Sequence, residues 1–171
     1  MTRSAQMLAG SLLAAMVPLA PGQDPAAERE VKEHASNVAK IATGFVNFAG
    51  SEDNAVALVE SLHEGAAVML MYAPPGEGYT PAMMPIEPPT GPMEWSDVRM
   101  ALMLARDALL GLGISRPTSS QLHAVLLGGE VESKNGRLVG LRGVLQMRAE
   151  GLTWTRIASE RFQRPAVARI E

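Results

Sequence analysis

Between residues 28 and 49 apolar side chains recur at Val31, Ala35, Val38, Ile41, Ala42, Phe45 and Phe48 or Ala49. This spacing is close to the helical period and predicts an amphipathic helix with one stripe turned toward a core. Gly44 falls inside the stripe as a bend or break. Ser51, followed by Glu52 and Asp53, reads as a second helix start: a serine oxygen accepts from an orphan backbone N–H, and two carboxylates face the positive end of the helix. That helix is expected to run to His63 or Glu64, burying Ala55, Leu58, Val59 and Leu62. Gly65 is its natural stop, because glycine takes a left-handed C′ conformation without a Cβ clash.

Residues 66–72 carry no charge and no cap, which predicts a strand. The stretch 73–92 then holds seven prolines, among them Pro74, Pro81, Pro85 and Pro92, together with Gly76, Gly78 and Gly91. Missing N–H donors and a fixed φ argue against a helix or a central strand there and predict a long Pro-rich loop. A third helix is expected from Ser96, with Asp97 in its first turn and Trp95, Val98, Leu102, Ala105 and Leu109 along one face, ending at Gly111-Leu-Gly113. Thr118-Ser-Ser-Gln121 has the spacing of a capping box and opens a fourth helix that stops at Gly128-Gly129. Asn135-Gly136, a tight-turn dipeptide between Val131 and Leu138-Val139, allows a hairpin near 130–139. Two further helices, Leu141 to Glu150 and Thr153 to Phe162, are divided by Gly151 and followed by a flexible tail, 163–171. The fold class expected is mainly α: a small domain of about five to six helices with a minor β element.

The first 22 residues differ from all of this. A short start carrying Arg3 leads into 14 apolar or small residues, Met7 to Ala20, and then Pro21-Gly22. This is the layout of a secretory signal, too short to span a bilayer, and it predicts a cleaved segment and a periplasmic or secreted product. The domain organisation expected is a signal peptide (1–22), an N-terminal helical segment (23–50), a helical domain (51–162) and the tail.

Length and composition narrow the function classes. The 171 residues suit one domain, and 47% hydrophobic residues against 19% charged are enough for a core. The absence of cysteine excludes disulfides, thiolate metal sites and cysteine nucleophiles. A net charge of −3 gives no basic excess, so nucleic acid is not an expected partner. The charge is nonetheless uneven: residues 1–127 hold 7 basic and 13 acidic side chains, residues 128–171 hold 8 and 5, which reads as a bipolar soluble surface.

Seven of the 11 methionines lie between residues 69 and 103. Thioethers are soft ligands for Cu(I), which makes Met83, Met84 and Met93 a candidate copper set, although methionine is also a common filler of irregular cores. Glu60-Ser-Leu-His63 has the i, i+3 spacing of carboxylate-bridged di-metal bundles, but no second Glu-x-x-His accompanies it, so it reads as a solvated helix end. His34 and His123 are isolated in the sequence. The run from Met147 to Glu160 resembles the opening of a helix-turn-helix unit; nine residues follow Phe162 and Pro165 interrupts them, so it is better read as two short helices packed at an angle. No phosphate-binding glycine loop, metalloprotease histidine pair or Gly-x-Ser-x-Gly elbow occurs.

The segments Phe48 to Ala55, Pro89 to Trp95, Gly113 to Leu122 and Leu141 to Trp154 resemble a group of small exported Gram-negative bacterial proteins, over roughly residues 48–160. The resemblance implies export and brings no catalytic residue or ligand with it. Together these readings lead to a non-enzymatic interaction domain that meets an envelope protein through the 73–92 loop, with Tyr79, Ile86 and Trp95 as contact residues. Cu(I) binding through the methionines is the alternative, and a hydrolase without a recognised motif is a third.

Overall fold

The computed structural model describes residues 25–72, 82–163 and 166–167. The expected signal segment, Tyr79 and most of the tail lie outside the described residues. The first apolar stripe forms α1 (Pro25–Ala42), a 3-10 turn (Thr43–Phe45) and α2 (Val46–Ala49) with no non-helical residue between them. The tightening falls at Gly44, where the sequence placed a bend. Burial starts only at Val38 and Val31 is 69% exposed, so among the described residues nothing covers the first turns of the stripe.

α3 (Glu52–Glu64) begins as expected, with Ser51 Oγ accepting from Asn54 N at 3.1 Å, and ends at Gly65 with φ +69°. Gly65 is required twice over, since a Cβ there would stand 2.5 Å from Gly91 C and Pro92 N. β1 (Val68–Tyr72) follows, and antiparallel to it runs β2 (Ala82–Ile86), in the register Val68↔Ile86, Met69↔Pro85 and Met71↔Met83. A strand therefore occupies part of the stretch expected to be loop.

The side chain of Asn54 explains why Pro85 is accepted in it. Asn54 Oδ1 accepts from Met71 N at 3.0 Å and Nδ2 donates to Met71 O at 2.9 Å, so both backbone groups of Met71 point away from β2. In an antiparallel ladder the outward-facing pairs alternate, which makes Met69↔Pro85 another of them. The N–H that proline lacks would have pointed off the edge, where no ladder bond is lost.

α4 (Trp95–Gly111) starts two residues earlier than the Ser96 cap suggested; Glu94 is the N-cap and its carbonyl accepts from Asp97 N and Val98 N, both at 2.9 Å. α5 (Ser119–Leu127) has the complete capping box between Thr118 and Gln121. β3 (Gly129–Glu132) and β4 (Leu138–Leu141) form the hairpin, with Gly136 at φ +76° in its turn, and β5 (Ala166–Val167) pairs with β4. The tail thus contributes a short strand at 166–167. α6 (Val144–Ala149) is shorter than expected because Leu141 belongs to β4. Its N-cap is Gly143, packed so closely on the end of α5 that a Cβ there would meet Leu127 C at 2.3 Å. α7 (Trp154–Gln163) completes the chain of helices.

With α1 and α2 taken as one bent segment, the described fold has six helical segments and two small antiparallel sheets, the mainly helical architecture expected. One cluster forms the core. Leu58 and Leu62 of α3, Leu102 and Leu109 of α4, Leu122 and Leu126 of α5, Leu145 of α6 and Ile157 of α7 are all fully buried in it. Leu70 and Ile86 pin the β1–β2 hairpin to the same cluster. Among the described residues no helix is long and apolar enough to cross a membrane.

Asn54 is 6% exposed and also donates from Nδ2 to Ala49 O at 3.0 Å, so one side chain ties α2, α3 and β1 together. Asn54→Ala is expected to cost about 2–3 kcal/mol in urea unfolding, because it leaves the Met71 amide without its partner. Asn54→Asp should cost at least as much, since it sets carboxylate oxygens against two carbonyls; a stability equal to wild type for either variant would refute the clamp.

Candidate functional site

The end of α3, the segment 89–94, the start of α4 and the end of α6 enclose an open cleft of about 550 Å³, lined by His63, Thr90, Met93, Glu94, Asp97 and Arg148 among others. Its first wall is built by a two-way bond between His63 and Met93. Met93 N donates to His63 O at 3.1 Å, and His63 Nδ1 lies 2.8 Å from Met93 O. A carbonyl only accepts, so Nδ1 carries the proton and, in the neutral ring, Nε2 keeps the lone pair. The Trp95 indole stacks on this imidazole with centroids 3.5 Å apart and planes 18° apart. His34, reaching in from α1, meets Trp95 edge-on at 5.1 Å and His63 at 5.5 Å. His34, isolated in the sequence, is therefore part of a three-ring cluster.

Asp97 and Arg148 bring a charged network to the same lining. Asp97 Oδ1 accepts from Trp154 Nε1 at 2.8 Å, and Oδ2 faces Arg148 Nη2 at 3.3 Å. Arg148 also donates to Leu152 O at 3.3 Å and holds its guanidinium 4.8 Å from the centre of the Trp154 ring. Asp97 lies in the first turn of α4, where the helix end favours a negative charge. Both carboxylate oxygens are engaged, so its role is to fix α7 and α6 against α4. The Thr90 hydroxyl bonds to Gly91 O at 3.1 Å and not to an imidazole. What the cleft offers a ligand is an edge of the His63 ring, the exposed Glu94 and the rim of an engaged ion pair, an arrangement suited to holding a group in place. A smaller cleft of about 360 Å³, lined by Pro85, Glu87, His123, Leu127 and Gln146, shares Pro89 with it.

The residues singled out from the sequence are dispersed by the fold. Met93 is 7% exposed and packs in the core at the cleft floor. Met83 and Met84 are consecutive in β2, opposite Met71 and Leu70. Ile86 is 1% exposed, a core residue whose apolar side chain is used in packing. Trp95 is half-buried in the His63 stack. Glu60 and His63 share α3, and among the described residues no group of three or more His, Cys, Asp or Glu side chains is placed to hold a metal. The helix-turn-helix-like run forms α6 and α7, joined through Gly151 at φ +87° and bridged by Arg142, which pairs with Glu150 and Glu160.

Sequence reasoning missed the two networks that shape the cleft. Asp97 is 51 residues from Arg148 and 57 from Trp154, and no spacing pattern links positions so far apart. Comparison with family models, with curated proteins and with solved structures gives no match.

Replacing Asp97 by alanine should lower stability by about 1–2 kcal/mol, the range of a charge-assisted hydrogen bond discounted for partial exposure. Freed from its acceptor, Trp154 should show red-shifted emission, and a double-mutant cycle with Arg148→Ala should be non-additive. Additive effects in that cycle would mean the pair is not coupled.

Proposed function

We propose that the protein is a non-enzymatic interaction domain of the periplasm or the extracellular space, and that it offers the β1–β2 hairpin with its 73–81 connection to a protein partner. The observation that carries this reading is the two-sidedness of β1. Leu70 is 2% exposed, whereas Met69 and Met71 on the alternate face are 52% and 66% exposed. Clustered apolar side chains that a fold leaves uncovered mark contact surfaces, and flexible thioethers adapt to the shape of a partner. The Asn54 clamp supports the reading as well, since it fixes the strand that bears them. Export is supported by the layout of residues 1–22 and by the resemblance to small exported proteins.

A photo-reactive residue at position 71 should give a discrete adduct in the cell envelope, while one at the exposed position 134 should not. Replacing residues 74–80 with a glycine-serine linker should abolish the adduct and shift the unfolding midpoint by only about 2 °C. Trimming beyond this span would remove Ile86 from the core. If position 71 yields no adduct, or one indifferent to both the linker and a Met69→Lys substitution, the reading is wrong.

A second reading, Cu(I) handling, draws support from the strand register, in which Met71 stands across from Met83 with Met69 two positions along. Since Met93 is buried, the ligand set moves from Met83, Met84 and Met93 toward Met69, Met71 and Met83. Anaerobic titration with a competing chelator should give one ion per chain, bound on the order of tenfold more weakly by Met71→Leu. The absence of stoichiometric binding would dispose of copper.

A further inference from the structure

The three-ring cluster on the seam of α1, α3 and α4 brings two imidazoles from different helices together beside one indole. His63 donates Nδ1–H to a backbone carbonyl, the arrangement by which metal-binding histidines fix their tautomer and aim Nε2 at an ion. The Trp95 stack holds the ring plane. A second imidazole, His34, comes from a different helix, and both histidines are half-buried. An ion about 2.1 Å from an imidazole nitrogen stands about 3.2 Å from that ring's centroid, so two rings sharing one ion at a near-tetrahedral angle have centroids about 5 Å apart. The observed separation is 5.5 Å.

We propose that His34 and His63 form a two-imidazole site for a divalent ion of the Zn²⁺, Cu²⁺ or Ni²⁺ class, bridging α1 and α3 beside Trp95. Imidazole is the ligand type these ions share. With no third His, Cys, Asp or Glu grouped there among the described residues, water completes the coordination, which makes the site open to an exogenous ligand and modest in affinity. It tethers the part of α1 that the core does not hold, since Val38 is the first buried residue of that helix. The site is separate from the methionine face of the hairpin, so it stands or falls independently of the partner-binding reading.

The test is a titration of the tag-free protein with Ni²⁺ near neutral pH, followed by tryptophan emission and by native mass spectrometry. One ion per chain should bind with saturable quenching, Zn²⁺ should compete, and acid should weaken binding because the imidazoles must be neutral to coordinate. His34→Phe keeps an aromatic ring against Trp95 while removing the ligand, and His63→Gln keeps a donor for Met93 O. Each should weaken binding on the order of tenfold or more, and His34→Phe should keep an unfolding midpoint near wild type. His123→Gln, on α5, should bind as wild type. The proposal is overturned by a lack of saturable binding of all three ions, by wild-type affinity in either His34→Phe or His63→Gln, or by dependence on His123.

Discussion

The architecture depends on one seam, where the end of α3 lies against the chain that leads into α4. Gly65 has no room for a Cβ because the Gly91–Pro92 backbone is packed against it. His63 is bonded to Met93 through both its main chain and its ring. Ser61 Oγ, one turn earlier, bonds Ala66 O and so directs the chain out of the helix toward β1. They combine a close backbone approach with hydrogen bonds, one of which satisfies His63 O, a carbonyl that helix termination leaves without a partner. Once they are made, the start of α4 is fixed beside the end of α3, Trp95 is laid on His63, and the floor of the larger cleft exists.

The β1–β2 hairpin follows that seam, and one residue of its edge is paired by a side chain. Asn54 presents an amide that copies the donor and acceptor of a neighbouring strand, which satisfies Met71 without adding another chain. The same parity turns the missing N–H of Pro85 outward. The hairpin can then bury Leu70 and Ile86 on one side and leave thioethers on the other, so a strand sits comfortably in a proline-rich stretch.

Much of the fold was legible because helix ends are local chemistry. The serine cap at 51, the box at Thr118 and Gln121, and glycines at 65, 128 and 151 all act over a few residues, and each does in the structure what its sequence suggests. The hairpin around Asn135-Gly136 is of the same kind. Where the reading failed, the cause was tertiary. β2 was hidden because seven prolines argue against a strand unless the orientation of the edge is known, and α6 starts later than its apolar pattern suggests because the β3–β4 ladder claims Leu141. Ile86, expected as a contact residue, is buried because its side of the strand faces the core, which nothing local in the sequence reveals.

The sequence by itself determined a cysteine-free, mainly helical chain, the starts and stops of most helices, and the clustering of methionine around residues 69–103, all consequences of composition and of interactions within a turn or two. Only the tertiary structure decided that His34, His63 and Trp95 meet, that Asp97 binds Trp154 and Arg148, and that Met69 and Met71 face outward while Met93 faces in. The physical reason is range: capping and periodicity act between neighbours in the chain, whereas a cleft is made by groups that only packing brings within a few ångströms of one another.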